Sequence, residues 1–281
     1  MYVKDETVIK MQSVVYGILC EIDAYCKENN IKYFLSGGTC LGAVRHHGFI
    51  PWDDDGDIMM PRDDYEKFIR SFGQNTKSRY RIITLDNDPK CNLPYARVWD
   101  PDTRVIHKTI YAPEIGVSVD VFPIDGVSNS KTRRKIFYWR LKVLDTISSE
   151  AIRKQFSERH RFIAIRKIVG RIARVFGAHA FASRMNALAK RTSYNTSDLV
   201  ACSLPAHYGE RETIEKKHMS EAVYMDFESS KFPVPSGYDV YLTNLYGKDY
   251  MKVPDGPKDG QHLDVWEVHF NDNGERQSTA K

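Results

Sequence analysis

The sequence predicts an α/β (α+β) protein: a mixed-sheet core carrying a basic helical insertion or second lobe. Three observations support this. Helical and strand-like periodicities alternate through the first 127 residues. Aspartates lie inside two strand-like segments, one at Asp55 and Asp57 and one at Asp120. The net charge, only +4 over 281 residues, is divided unevenly along the chain. Residues 131–191 hold 17 Lys and Arg against three acids, so the remainder is net negative.

In chain order, residues 5–29 set Val8, Met11, Val15, Ile18, Leu19, Ile22 and Cys26 at helical spacing, and Asn29-Asn30 ends the run. Ile31–Leu35 is a short apolar strand entering a turn at Gly37-Gly38. Thr39–His46 fits a helix, residues 48–52 a loop, and Asp55–Met60 a strand. Asp63–Phe72 fits a helix with acids in its first turn, where the helix dipole favours them. Tyr80–Leu85, Tyr95–Trp99 and Thr103–His107 look extended. Val117–Phe122 is β-branched and alternating, a strand that Pro123 and Gly126 close. From Lys131 to Arg191 the pattern is helical and basic.

Composition narrows the function classes. With 42% hydrophobic and 28% charged residues, the chain matches a soluble globular protein. It has no run of eighteen apolar residues, so no membrane-spanning helix is expected. The start, MYVKDETVIK, lacks the form of a signal peptide. Five cysteines without a CxxC pair suggest reduced thiols in a cytoplasmic protein, not a disulfide or zinc framework. The basic middle suggests a polyanionic partner or an anionic membrane surface. Within Arg159–Phe176, the apolar residues Phe162, Ile165, Ile168, Val169, Ile172, Val175 and Phe176 span an arc of about 140° on a helical wheel. Such a helix either packs its stripe on the core or lies on an anionic surface.

The segment from Ser36 to Phe68 carries the chemistry. Strand alternation would put Asp53, Asp55 and Asp57 on one face and leave Asp54 pointing away, as a surface or capping residue. Like charges on one face repel, and a hard divalent cation with oxygen ligands resolves the conflict. A Gly37-Gly38 turn beside a helix N-terminus would leave backbone N–H groups to cradle an anion. Arg45, Arg97 and Arg104 could pair with a diphosphate, and Arg45 and Arg97 neighbour the motifs. His46 and His47 are expected to be exposed, and Asp125 to be a turn residue.

Together, FLSGGTCLGAVRHHGFIPWDDDGDIMMPRDDYEKF, VSVDVFPIDG and LYGKDYMKVP followed by His262 resemble the LicD family. Fukutin and the fukutin-related protein are its distant relatives, all within the nucleotidyltransferase-fold superfamily. The resemblance covers residues 15–126 and, less closely, 237–264. It leaves the basic middle uncovered. It implies a nucleotidyltransferase-like catalytic core over residues 1–128 and a part completing the catalytic domain over 196–270; charge and periodicity set a basic helical segment over 129–195 between them, and composition suggests a disordered polar tail over 271–281. By the same resemblance, Asp55, Asp57 and Asp120 would be catalytic and would hold Mg2+, or Mn2+. Gly37, Gly38, Thr39, Arg45, Arg97 and His262 would contact substrate.

The implied reaction moves phosphocholine from CDP-choline to a sugar hydroxyl of a cell-surface glycan precursor, with CMP released. The acceptor would be a teichoic acid, capsule or lipooligosaccharide unit, free or lipid-linked. The protein would work in the cytoplasm or at the inner face of the membrane. Trp52 and Trp99, with Tyr95 nearby, are candidates for a choline cage, because a quaternary ammonium is recognised by aromatic faces. CDP-ribitol or CDP-glycerol would serve the same chemistry. The acidic pair alone also permits an NTP-dependent nucleotidyltransferase. The basic segment alone permits a membrane- or RNA-binding protein, which leaves the clustered aspartates unexplained; a nucleic-acid partner is not expected.

Overall fold

The computed structural model describes residues 5–74, 77–155, 162–204, 206–254 and 266–271. Helix α1 (Glu6–Glu28) begins at Asp5, whose carboxylate caps the Thr7 N–H at 2.7 Å. Its periodic apolar face, from Val8 to Cys26, is buried. Strand β1 (Phe34–Leu35) is shorter than the apolar run suggests. Helix α2 (Gly37–His46) follows without an intervening turn. Strand β2 (Gly56–Pro61), helix α3 (Arg62–Phe72), and strands β3 (Arg81–Ile83), β4 (Ala96–Trp99), β5 (Thr103–His107) and β6 (Ser118–Val127) complete the first half. The basic stretch forms α4 (Lys131–Ile152), α5 (Ile163–Phe176) and α6 (Ala178–Ala189). The chain then returns through β7 (Leu199–Ala201), β8 (Ile214–Glu215), β9 (Ala222–Phe227), β10 (Ser230–Pro235), α7 (Tyr238–Tyr246) and β11 (Trp266–Phe270).

The main sheet runs β1-β2-β6-β4-β3, with β7 and β8 joined to the far end of β6. It is mixed: β2 and β6 are parallel, and the other pairs are antiparallel. Helix α1 and the sheet share one apolar core containing Ile18, Phe34, Ile58, Val119 and Phe232. Strands β9 and β10 form a separate ribbon, as do β5 and β11.

Two expectations are corrected here. Gly37 and Gly38 are the first residues of α2 itself, capped by the extended Ser36. Strand β6 does not stop at Pro123 but continues to Val127. It pairs with β4 through residues 118–121 and with β7 through 125–127. Pro123 falls between these two antiparallel neighbours and lies opposite Met60 in the parallel pairing with β2.

Candidate active site

The strand registers assemble the site. Asp57 on β2 is the parallel partner of Asp120 on β6, and Asp120 is the antiparallel partner of Arg97 on β4. The three side chains therefore form a row across adjacent strands. They open into a cavity of about 710 Å³ that Asp54, Asp55, Ser36 and Gly37 also line. Strands β5 and β11 close one side with His107 and Trp266, whose rings meet edge to face at 5.4 Å.

Helix α2 sits directly against the acidic strand. The Thr39 hydroxyl accepts a hydrogen bond from the Asp57 N–H at 2.8 Å, and the Ser36 N–H donates to the Asp57 carbonyl at 3.0 Å. A Cβ on Gly37 would lie 3.1 Å from an Asp57 carboxylate oxygen, and one on Gly38 would lie 2.8 Å from Asp53. Gly37 also has φ +49°, which side chains resist. The glycine pair thus admits the carboxylates to the helix N-terminus. The Gly37 N–H already donates to the Tyr241 hydroxyl at 3.2 Å, so that amide is not left open for an anion.

Charge in this row is unbalanced. Burial pushes the Asp57 carboxyl well above its ordinary range, and Asp55 and Asp120 push it further, against the pull of Arg97. Arg97 grips Asp120 at two points, Nε to Oδ1 at 2.5 Å and Nη2 to Oδ2 at 3.0 Å. Asp120, expected as a third metal ligand, is thereby held by a guanidinium. Among the described residues, no group of three carboxylate, histidine or cysteine side chains is gathered closely enough to hold a metal ion. Asp55 and Asp57 both line the cavity, and their mutual repulsion is of the kind that a hard divalent cation with oxygen ligands would relieve. Mg2+ is ordinarily held by carboxylates of this kind.

Several predicted residues lie elsewhere. Asp54 is not on the surface: it is 1% exposed and lines the cavity, because β2 begins only at Gly56 and alternation does not extend back to it. Asp53 is buried behind α2, and burial, then Asp55 and Asp57, raise its carboxyl. Asp125 is no turn residue but is buried against Arg62 in a two-point pair. The Arg45 guanidinium donates to the carbonyls of Tyr250 and Lys252, away from the cavity lining. Arg104 pairs with Glu114 at the surface. His47 is exposed and His46 half-buried. Trp52 is buried in the main core, and Trp99 packs against the small cluster of Ile83, Cys91 and Ile115. Neither lines the cavity, whereas Tyr95 does, set edge to face on Phe122. His262 lies outside the described residues.

Sequence reasoning missed Glu212. It stands in a 3-10 turn (Gly209–Glu212) and lines the cavity with Tyr208, Tyr241 and Cys202. It is 6% exposed, and its Oε2 has no hydrogen-bond partner among the described residues. Burial pushes its carboxyl up to about 8, with Arg211 pulling the other way. No motif or periodicity marks it, since YGERET resembles any polar loop.

A mixed sheet with Asp57 on one strand and Asp55 just before it, a carboxylate on the neighbouring strand and a glycine-led helix beside them is the arrangement that a nucleotidyltransferase type of site, which serves phosphoryl transfer, calls for. The family profile described as LicD/FKTN/FKRP, nucleotidyltransferase domain, matches residues 30–143. The chain is 30% identical over 260 residues to the lipopolysaccharide cholinephosphotransferase LicD of Haemophilus influenzae, covering 89% of this chain and 94% of that one. Two uncharacterised rickettsial proteins share shorter stretches. That of Rickettsia typhi is 41% identical over 68 residues, covering 24% of this chain and 22% of its own. That of Rickettsia prowazekii is 46% identical over 50 residues, covering 18% and 19%. The chain belongs to the LicD family, and it is a phosphotransferase.

Proposed function

We propose that this enzyme transfers phosphocholine from CDP-choline to a hydroxyl of a cell-surface glycan, releasing CMP. One observation carries the reading: a single cavity joins the crowded acids beside the α2 N-terminus to a tyrosine-lined wall bearing Glu212, a buried carboxyl whose Oε2 has no hydrogen-bond partner among the described residues. Phosphocholine has the matching polarity, an anionic phosphate next to a cation with no N–H to donate. The name of the Haemophilus relative makes a lipopolysaccharide-type glycan the first acceptor to try.

In this scheme Asp55 and Asp57 hold a divalent cation, Mg2+ or Mn2+, which supplies countercharge to the phosphate oxygens. The α2 N-terminus faces the same oxygens with its dipole. Asp120, oriented by Arg97, accepts the proton of the acceptor hydroxyl. The acceptor oxygen forms a bond to the phosphocholine phosphorus as the bond to the CMP oxygen breaks, and Arg97 offsets the charge that develops. Tyr208, Tyr241 and Glu212 receive the trimethylammonium head group.

The test is incubation with CDP-choline, Mg2+ and a glycan stripped of phosphocholine, following CMP release. CMP formed only from CDP-glycerol or CDP-ribitol would replace the donor. Pyrophosphate released from an NTP, with no CMP from any of these donors, would replace the reaction.

A further inference from the structure

Helix α5 is amphipathic in sequence, yet it is mounted with its apolar face outward. Ile165, Ile168, Ile172, Val175 and Phe176, with Phe162 at its start, are 57–82% exposed. The buried residues of the helix are the small ones, Gly170 and Ala173. A Cβ on Gly170 would lie 2.6 Å from the carbonyl oxygen of Glu150, so the backbone of α5 rides directly on the end of α4.

The polar face is the one that holds α5 to the protein. Arg166 pairs with the buried Glu150 of α4, its Nε 2.9 Å from Oε1. Arg174 donates to the carbonyls of Ala151 and Arg153 at 3.0 and 2.7 Å. The last carbonyls of a helix lack intrahelical partners and carry the negative end of its dipole, so they draw arginines inward. Turning α5 to bury its isoleucines would break these contacts. The outward stripe is therefore built into the fold.

Beside the stripe stand Lys167 and Arg171, both exposed, and α5 contains no acidic residue. The surrounding residues 131–191 are strongly basic. An exposed apolar face bordered by basic residues complements a bilayer of anionic lipid, in which apolar side chains enter the acyl boundary while the cations meet the head groups. We propose that α5 docks the enzyme on an anionic membrane surface through Phe162, Ile165, Ile168, Ile172, Val175 and Phe176.

The test is flotation of the full-length protein with vesicles of phosphatidylcholine containing 30% phosphatidylglycerol, or of phosphatidylcholine alone. The proposal expects binding to the anionic vesicles at low salt, at least tenfold weaker on neutral vesicles and partly lost at high salt. Ile168→Glu/Ile172→Glu should cut vesicle binding by tenfold or more. Both positions are exposed, so the variant should keep its melting temperature and its turnover on a soluble acceptor. Absence of wild-type binding at low salt overturns the proposal, as does unchanged binding by the double variant. A dimer that the same double variant dissociates, with no vesicle binding, overturns it in favour of a second copy as the occupant.

Discussion

Strand β6 carries two aspartates five positions apart, and each is gripped at two points by an arginine. Asp125 and Arg62 are sealed in the interior, 1% and 9% exposed in their side chains. Asp120 and Arg97 are 16% and 18% exposed and border the cavity. The difference is the neighbour. Asp120 lies beside Asp57, whose charge has no full counterweight, whereas Asp125 shares Arg62 with Glu66 and Asn186. One pair is a closed structural contact. The other borders an open cavity and an unbalanced row of charge.

The sharpest way to break this comparison is to neutralise the row. Asp57→Asn and Asp120→Asn should each lower turnover by about a thousandfold or more, since metal and charge stabilisation of phosphoryl transfer is worth several kcal/mol. Their melting temperatures should move in opposite directions. The Asp57 carboxyl is raised in the folded state, so its ionisation opposes folding at neutral pH, and Asn should raise the melting temperature. Asp120→Asn should lower it, because Arg97 loses its partner. Near-normal turnover by either variant at saturating Mg2+ removes that residue from the site.

Asp125→Asn is expected to act on stability first, at roughly 3 kcal/mol, because the buried Arg62 loses its two-point partner and keeps only the longer contact to Glu66 as countercharge. Urea unfolding measures this. A stable Asp125→Asn protein with impaired turnover would erase the distinction between the two pairs.

A smaller effect belongs to Glu212. Its carboxyl ionises near 8 in the fold, against 4.5 when free. Below pH 4.5 both states are protonated. From there to about 8 only the unfolded chain loses its proton, so native stability falls as pH rises and then levels off. Glu212→Gln should therefore raise the donor-free melting temperature most above pH 8 and scarcely at all near pH 4. A gain that does not vary with pH contradicts the buried-acid account. The same variant should raise KM for CDP-choline more than for CDP-glycerol.

The smallest effect is expected at Trp99. Trp99→Leu should change KM for CDP-choline and CDP-glycerol alike, by less than about twofold. A loss confined to choline would restore the tryptophan cage, at the roughly 1–2 kcal/mol of a cation–π contact.

That Asp57 and Asp120 would face one cavity was legible because both sit in regular strands, where alternation assigns faces. It failed at Asp54, which precedes the strand, and at Trp52 and Trp99, where nearness in sequence to Asp53 and Arg97 did not mean nearness to the cavity. The partner of Asp125 was hidden because Arg62 is 63 residues away. Glu212 was hidden because a buried acid in a polar loop has the same letters as a solvated one. The helical wheel of α5 was correct, but which face meets the protein depended on Glu150 and the α4 carbonyls, which no single-helix pattern contains.

The register between β2 and β6 also bears on how the chain folds. Pairing them closes a long loop and sets Asp57 beside Asp120, two like charges as direct neighbours. Pairing β4 with β6 brings together Arg97 and Asp120, only 23 positions apart, and joins opposite charges. The antiparallel pair should form first and present a neutralised edge on which β2 then docks. Truncations at Val98 or Val119 should slow folding, and truncation at Ile58 should chiefly speed unfolding. The reverse pattern in stopped-flow kinetics would mean that the acidic strand nucleates the sheet.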